Sequence, residues 1–81
     1  MNVTVLLFAG AAERAGTRKL DLPWEHGDTV GRVRDRVVAL HPGLAPIVPS
    51  LMYAINEDYA QEGEPVMAGA TLALIPPVSG G

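Results

Sequence analysis

The chain has no cysteine, which excludes a disulfide scaffold, a cysteine-ligated zinc or iron–sulfur centre and a cysteine nucleophile within it. Any sulfur chemistry here has to proceed without a side-chain thiol. Positive charge is scarce too: six Lys and Arg stand against nine Asp and Glu, for a net charge of −3. With a pI of about 5.1, nothing points to nucleic acid. Lysine occurs once, as Lys19, so the protein offers few amines for joining to copies of itself. No stretch approaches the ~18 apolar residues that span a bilayer. The opening MNVTVLLFAG lacks the basic n-region of a signal peptide, and the expected address is the cytoplasm. No P-loop or Rossmann fingerprint occurs, so nucleotide binding by this chain alone is not expected.

What is present suits a single small domain. Of 81 residues, 48% are hydrophobic and 19% charged, enough to fill a compact core. No repeat or linker interrupts the chain. Val3 to Phe8 alternates as a strand, with Val3, Val5 and Leu7 on one face and Thr4, Leu6 and Phe8 on the other. Gly10 and Gly16 bracket a loop or single helical turn, AAERA. Arg18 to Leu22 alternates again, closed by Pro23, and pairs most economically with the first strand as a hairpin. Asp28 or Thr29 can cap a helix whose apolar stripe is Val30, Val33, Val37 and Leu40, ended by His41 and Pro42. LAPIVPS reads as an extended connector broken by prolines. Met52 to Asn56 reads as a strand, Glu57 and Asp58 as a turn, and a short strand surrounds Tyr59. A loop with a turn spans Gly63 to Gly69, and Thr71 to Ile75 forms the last strand.

The order β-β-α-β-β-β specifies an α+β domain in which one main helix covers one face of a mixed five-stranded sheet. That is the β-grasp, or ubiquitin-like, arrangement, with the first and last strands parallel and adjacent. It spans residues 1–75 and leaves 76–81 as a protruding tail. Leu72 and Leu74 join Val3, Val5 and Leu7 under the helix. Leu6, Phe8, Ala73 and Ile75, extended by Tyr59, then share the face without a helix. A contiguous apolar patch marks a contact surface, unless LAPIVPS folds over it.

The last residues, IPPVSGG, raise a separate question. Pro76 and Pro77 stop the strand and stiffen the exit. Pro76 to Gly81 reaches about 20 Å when extended, and side-chain-free Gly80 and Gly81 fit a narrow channel. Two terminal glycines alone are weak evidence, and an ordinary frayed end is the plain alternative. Behind a stiff spacer on this fold order, they read as a tether presenting one carboxylate. A carboxylate is a poor electrophile at neutral pH. Adenylation would supply a leaving group, and a sulfur nucleophile could then convert the terminus to a thiocarboxylate, nucleophilic much as a thiolate is.

These motifs carry a resemblance. FAGAAERAG is similar to the opening strand and loop of the MoaD/ThiS sulfur carriers, DTVGRVRDRVVALHP to their capped helix, AIN to their V-N-x strand end and IPPVSGG to their terminus. The resemblance runs the whole length and is nearest to the small-subunit branch that serves molybdopterin synthase. Thiamin-pathway carriers share the final glycines but lack the PPVSGG run. It implies an adenylyltransferase of the ubiquitin-activating type that uses ATP and magnesium on Gly81, and a sulfur donor protein. It further implies insertion of the tail into the large catalytic subunit of molybdopterin synthase, where sulfur passes to cyclic pyranopterin monophosphate. On this reading the chain is a sulfur-donating subunit with no catalysis of its own and no cofactor bound. Family complexes are typically a dimer of large subunits with one carrier at each end. The partner-contact positions implied are Phe8, Tyr59 and Ile75, with Pro76, Pro77, Val78 and Ser79 in the tail and Gly80 and Gly81 at the reacting end. Two departures stand out: Ala12 where the family commonly has arginine, and Met67 to Ala70 in place of an L-x-x-G-D turn, a change expected to alter the local turn hydrogen bond.

Other side chains suggest plainer roles. His26 and His41 lack any carboxylate pattern that would mark a ligand or base. Arg32, Arg34, Asp35 and Arg36 read as a solvated helix face, with Arg32 and Asp35 able to pair. Trp24, Met52 and Met67 read as packing or edge filler. Glu57, Asp58, Glu62 and Glu64 form an acidic rim near the patch, able to steer a basic partner. The competing class is a plain ubiquitin-like interaction domain whose terminus is never activated.

Overall fold

The computed structural model describes residues 1–77. Five strands form one sheet: β1 Asn2–Leu7, β2 Lys19–Pro23, β3 Met52–Ile55, β4 Asp58–Ala60 and β5 Thr71–Ile75. Their spatial order is β2-β1-β5-β3-β4. β1 and β5 run parallel, and the other neighbours are antiparallel. The expected α+β β-grasp topology is therefore the one observed, with β5 at the centre of the sheet. Among the described residues no helix is long and apolar enough to cross a membrane.

The main helix, α2 (Val30–Leu40), covers one face. Its N-terminus resolves the capping question in favour of Thr29, whose hydroxyl accepts from Arg32 N at 3.2 Å. Two more of the first-turn N–H groups, which a helix cannot satisfy internally, donate to the loop before β5: Val30 N to Glu64 O at 3.0 Å and Gly31 N to Glu62 O at 2.9 Å. Val30, Val33 and Val37 are fully buried against Val3, Val5, Leu72 and Leu74. Each such side chain contributes roughly 1.5–3 kcal/mol on burial, which offsets the poor helix propensity of valine.

Several expectations need correction. The AAERA segment is more than a turn: it lies in a helix, α1 (Ala9–Ala15), closed by Gly16 in the left-handed region (φ 73°), with Gly16 N donating to Ala12 O. LAPIVPS is not extended but lies within a 3-10 helix, Pro42–Ser50. Leu44 is fully buried there, and Ile47 and Val48 pack on the core, so burial selects a coil over an extended path. Its side lies against α1 and α2, not over the open face of the sheet. Finally, Leu40 is 59% exposed. The helix stripe ends at Val37, and Leu44 supplies the next core side chain.

Of the expected solvated face, Arg32 and Asp35 are exposed, but Asp35 pairs with Arg34 rather than with Arg32, and Arg34 and Arg36 are tied into the fold. Arg36 donates to both carboxylate oxygens of Asp28 at 2.7 Å and to Pro23 O at 3.2 Å. Arg34 donates to Tyr53 Oη at 3.1 Å and pairs with Asp35 and Glu62. Burial opposes the Arg34 charge, but these hydrogen bonds outweigh it and raise its pKa. Trp24 is packing with a polar anchor: its indole N–H donates to Val66 O at 2.7 Å.

Candidate functional site: the uncovered face of the sheet

Strand parity determines what the uncovered face presents. Leu6 on β1 lies beside Ala73 on β5, Ala73 beside Ala54 on β3, and Ala54 opposite Tyr59 on β4. Directly paired residues point to the same face of a sheet, so these four form one row across it. The row has small side chains in the middle and large ones at its ends. The result is a trough of about 540 Å³, floored by Ala54 and Ala73 and lined also by Leu6, Phe8, Tyr59, Ile75, Thr71, Asn56 and Glu57.

Of the sequence-derived contact residues, Phe8, Tyr59 and Ile75 all line this one trough. Phe8 is 47% exposed and Tyr59 75%. Phe8 has left the strand to become the N-cap of α1, and its backbone N–H still donates to Leu74 O at 3.3 Å. That bond holds the Phe8 backbone beside β5, and the side chain lines the trough. Ala9, which follows, adopts φ 47°, a strained value for a residue with a Cβ, so the chain swings sharply into α1 directly after Phe8. Pro76 and Pro77 continue from Ile75. The remaining site residues, Val78, Ser79, Gly80 and Gly81, lie outside the described residues.

Sequence reasoning missed one member of this face. Met52 pairs with Ile75 across β3 and β5 and is 48% exposed, so it widens the apolar surface at the end where Pro76 begins. Alternation along MYAIN carried the signal: Met52 and Ala54 share a parity. Met67, by contrast, is 67% exposed in the turn before β5 and does not line the trough.

The acidic rim is only partly where it was expected. Glu57 lines the trough. Glu62 instead pairs with Arg34 and Glu64 accepts from the backbone of Gln61. Among the described residues no group of three or more His, Asp or Glu could hold a metal ion. His26 stands edge-on to Trp24, with ring centroids 6.2 Å apart.

The two departures from the family pattern fall in different surroundings. Ala12 lines a second groove, of about 580 Å³, between α1 and the β1–β2 end, where Phe8 forms the ridge shared with the trough. The Met67–Ala70 turn closes through its backbone, Ala70 N to Met67 O at 3.1 Å, with Gly69 at φ 83°. No side chain is needed to hold it.

The family model described as the ThiS family matches residues 5–81. The chain belongs to the ThiS family. This is the carrier family that its opening loop and closing motif resemble. Its curated relatives include the molybdopterin synthase sulfur carrier subunit of Arabidopsis thaliana, 36% identical over 81 residues that cover all of this chain and 84% of the relative. The protein of the same name from Homo sapiens is 30% identical over 83 residues, covering 99% and 94%. Among solved structures, the crystal structure of SAMP1 from Haloferax volcanii superposes with a TM-score of 0.89 at 35% identity over the full length of both chains.

Proposed function

We propose that this ThiS-family chain is the sulfur-carrier subunit of a molybdopterin synthase. The observation that carries the reading is the apolar trough on the uncovered face, which ends at Ile75 where the chain continues into PPVSGG. The body docks through Phe8, Tyr59 and Ile75, and Pro76 to Ser79 lead Gly80 and Gly81 into the partner's active centre. The names of the plant and human relatives support the assignment, since a carrier subunit implies a second subunit.

The chemistry starts at Gly81. An adenylyltransferase of the ubiquitin-activating type, using ATP and magnesium, joins the carboxylate to AMP and releases pyrophosphate. A persulfide sulfur from a donor protein attacks the carbonyl carbon and AMP leaves. Reductive cleavage of the sulfur–sulfur bond by a thiol leaves the terminal thiocarboxylate. In the large catalytic subunit its sulfur bonds to a side-chain carbon of cyclic pyranopterin monophosphate as that carbon's bond to oxygen breaks. Water hydrolyses the resulting thioester, returning the free carboxylate and leaving the sulfur on the pterin, and a second loaded carrier supplies the second sulfur. Every covalent change takes place at the terminus, so the domain contributes delivery and orientation.

The experiment is loading followed by transfer. Incubation with the adenylyltransferase, ATP and a sulfur donor raises the intact mass by the difference between one sulfur and one oxygen atom. Deleting Gly81 abolishes the rise and leaves thermal stability unchanged. The loaded protein, added to the large subunit with cyclic pyranopterin monophosphate, loses its sulfur and yields the dithiolene product. An unchanged mass would leave a plain interaction domain.

The likeness to the archaeal modifier SAMP1 favours a second reading, in which the activated Gly81 is joined to a lysine amine of another protein. Loading to an adenylate, followed by isopeptide bonds to cellular proteins and no turnover with pyranopterin, would select it. A thiamin-pathway carrier would pass its sulfur to thiazole assembly instead.

A further inference from the structure

We propose that Glu57 is a charge clasp at the far end of the trough, which reads a lysine or arginine on the partner segment seated there. The inference rests on the docking reading above and adds to it the chemistry of the docked segment: apolar side chains followed by a cation.

Three observations lead to it. First, Glu57 is the only charged residue among the described residues that line the trough. The surface is apolar around Phe8, Ile75 and Ala73, and becomes acidic at the opposite end beside Asn56 and Thr71. Thr71 to Ile75 spans about 13 Å of strand at the usual rise, so an extended segment of some four or five residues would meet both ends.

Second, three of the other nearby acids are engaged within the chain, and the fourth, Asp58, belongs to the opposite face of the sheet. Asp21 accepts from the Thr4 hydroxyl at 2.9 Å. Glu62 pairs with Arg34, and Glu64 accepts from Gln61 N. Asp58 stands opposite Ile55, which packs on the core side of the sheet. Glu57 makes no side-chain hydrogen bond or ion pair among the described residues. Its carboxylate is exposed and available to a partner.

Third, its backbone is in a conformation glutamate does not favour. Ile55 pairs with Asp58, so Asn56 and Glu57 form a two-residue hairpin turn, with φ 49° and 76°. Such turns choose Asn followed by Gly, because both positions are left-handed. Asn56 obeys that rule, and its side chain is used internally, accepting from Thr71 N at 2.9 Å. Glu57 departs from it. A residue that breaks the local rule at the mouth of a binding surface points to function rather than folding.

Charge complementarity at the edge of an interface acts chiefly on association and salt dependence, which sets the test. Binding to the large catalytic subunit is measured by calorimetry at low and high salt for the parent, Glu57→Gln, Glu57→Gly and Phe8→Asp. Glu57→Gln is expected to weaken binding about tenfold at low salt and flatten the salt dependence, with Tm unchanged. Glu57→Gly is expected to weaken binding equally while Tm holds or rises, which separates charge from turn geometry. Parent-like affinity and salt slope for Glu57→Gln overturn the clasp, as does a loss confined to Glu57→Gly. So does a Glu57-dependent self-association, which would make a second copy the occupant. If Phe8→Asp leaves affinity intact, the docking reading itself fails. If Phe8→Asp weakens binding and Glu57→Gln does not, only the clasp is lost.

Discussion

Arg36 grips Asp28 with two 2.7 Å hydrogen bonds, one to each carboxylate oxygen. Asp28 is buried, and its second oxygen also accepts from Glu25 N at 3.0 Å. The pair ties the loop after β2 to the second turn of α2, and Arg36 extends the tie to Pro23 O. Removing one partner leaves the other without its counter-charge, which is the costly way to break a buried pair. Arg36→Met is expected to lower stability by about 2–3 kcal/mol. Combining it with Asp28→Asn should cost less than the sum of the two single changes, by about 1–2 kcal/mol. Chemical denaturation of all four proteins measures the coupling, and additive losses would mean that the pair contributes nothing as a pair.

The same pair sets an acid limit. The Arg36 hydrogen bond lowers the Asp28 pKa below its ordinary value of 3.8, burial works against this, and the Glu25 N–H adds to the lowering. A depressed folded-state pKa contributes stability that is present above the unfolded value and lost as pH falls through the folded one. Stability should therefore fall on acidification below about pH 4, as the unfolded chain takes up a proton that the folded chain refuses. Asp28→Asn removes that proton and should make the acid limb shallower. Denaturation midpoints measured across this range give the slope, and an identical slope in the variant would place the acid sensitivity elsewhere.

Leu44 links the 3-10 helix to the core and is fully buried. Leu44→Ala should cost about 2–5 kcal/mol, since a rigid core collapses only partly around a deleted side chain. Were the connector an extended surface strap, as its prolines suggest, the change would be nearly neutral. Urea denaturation separates the two outcomes.

Why the sheet was legible and the connector was not comes down to period. In β1 and β5 the side chains alternate strictly, so Val3, Val5, Leu72 and Leu74 identify the core face, while Leu6, Phe8, Ala73 and Ile75 fall on the other. In α2 the spacing of Val30, Val33 and Val37 shows which side meets the sheet. Pro42, Pro46 and Pro49 speak against regular structure, yet a 3-10 coil seated on the core tolerates them. Arg34 and Arg36 resisted reading for another reason: their partners Glu62 and Asp28 lie in loops whose position only the closed sheet determines. The trough shared this difficulty, because its depth comes from Ala54 and Ala73 meeting side by side, a matter of register between distant strands.

Two exposed methionines offer a sharp test of which face docks. Met52 stands beside Ile75 on the uncovered face, and Met67 sits in the turn before β5. Both are exposed, at 48% and 67%, so replacing either with aspartate should change folding stability by no more than about 0.5 kcal/mol. Their effects on the complex should differ. Met52→Asp places a charge in the apolar surface next to the exit of the chain, where it must lose water on docking with no cation expected there, and should weaken binding about tenfold or more. Met67→Asp should bind like the parent protein. Calorimetry against the large subunit, with Tm as the folding control, reads both effects. If Met67→Asp weakens binding and Met52→Asp does not, the partner uses the opposite end of the molecule, and the row from Leu6 to Tyr59 is not the docking surface.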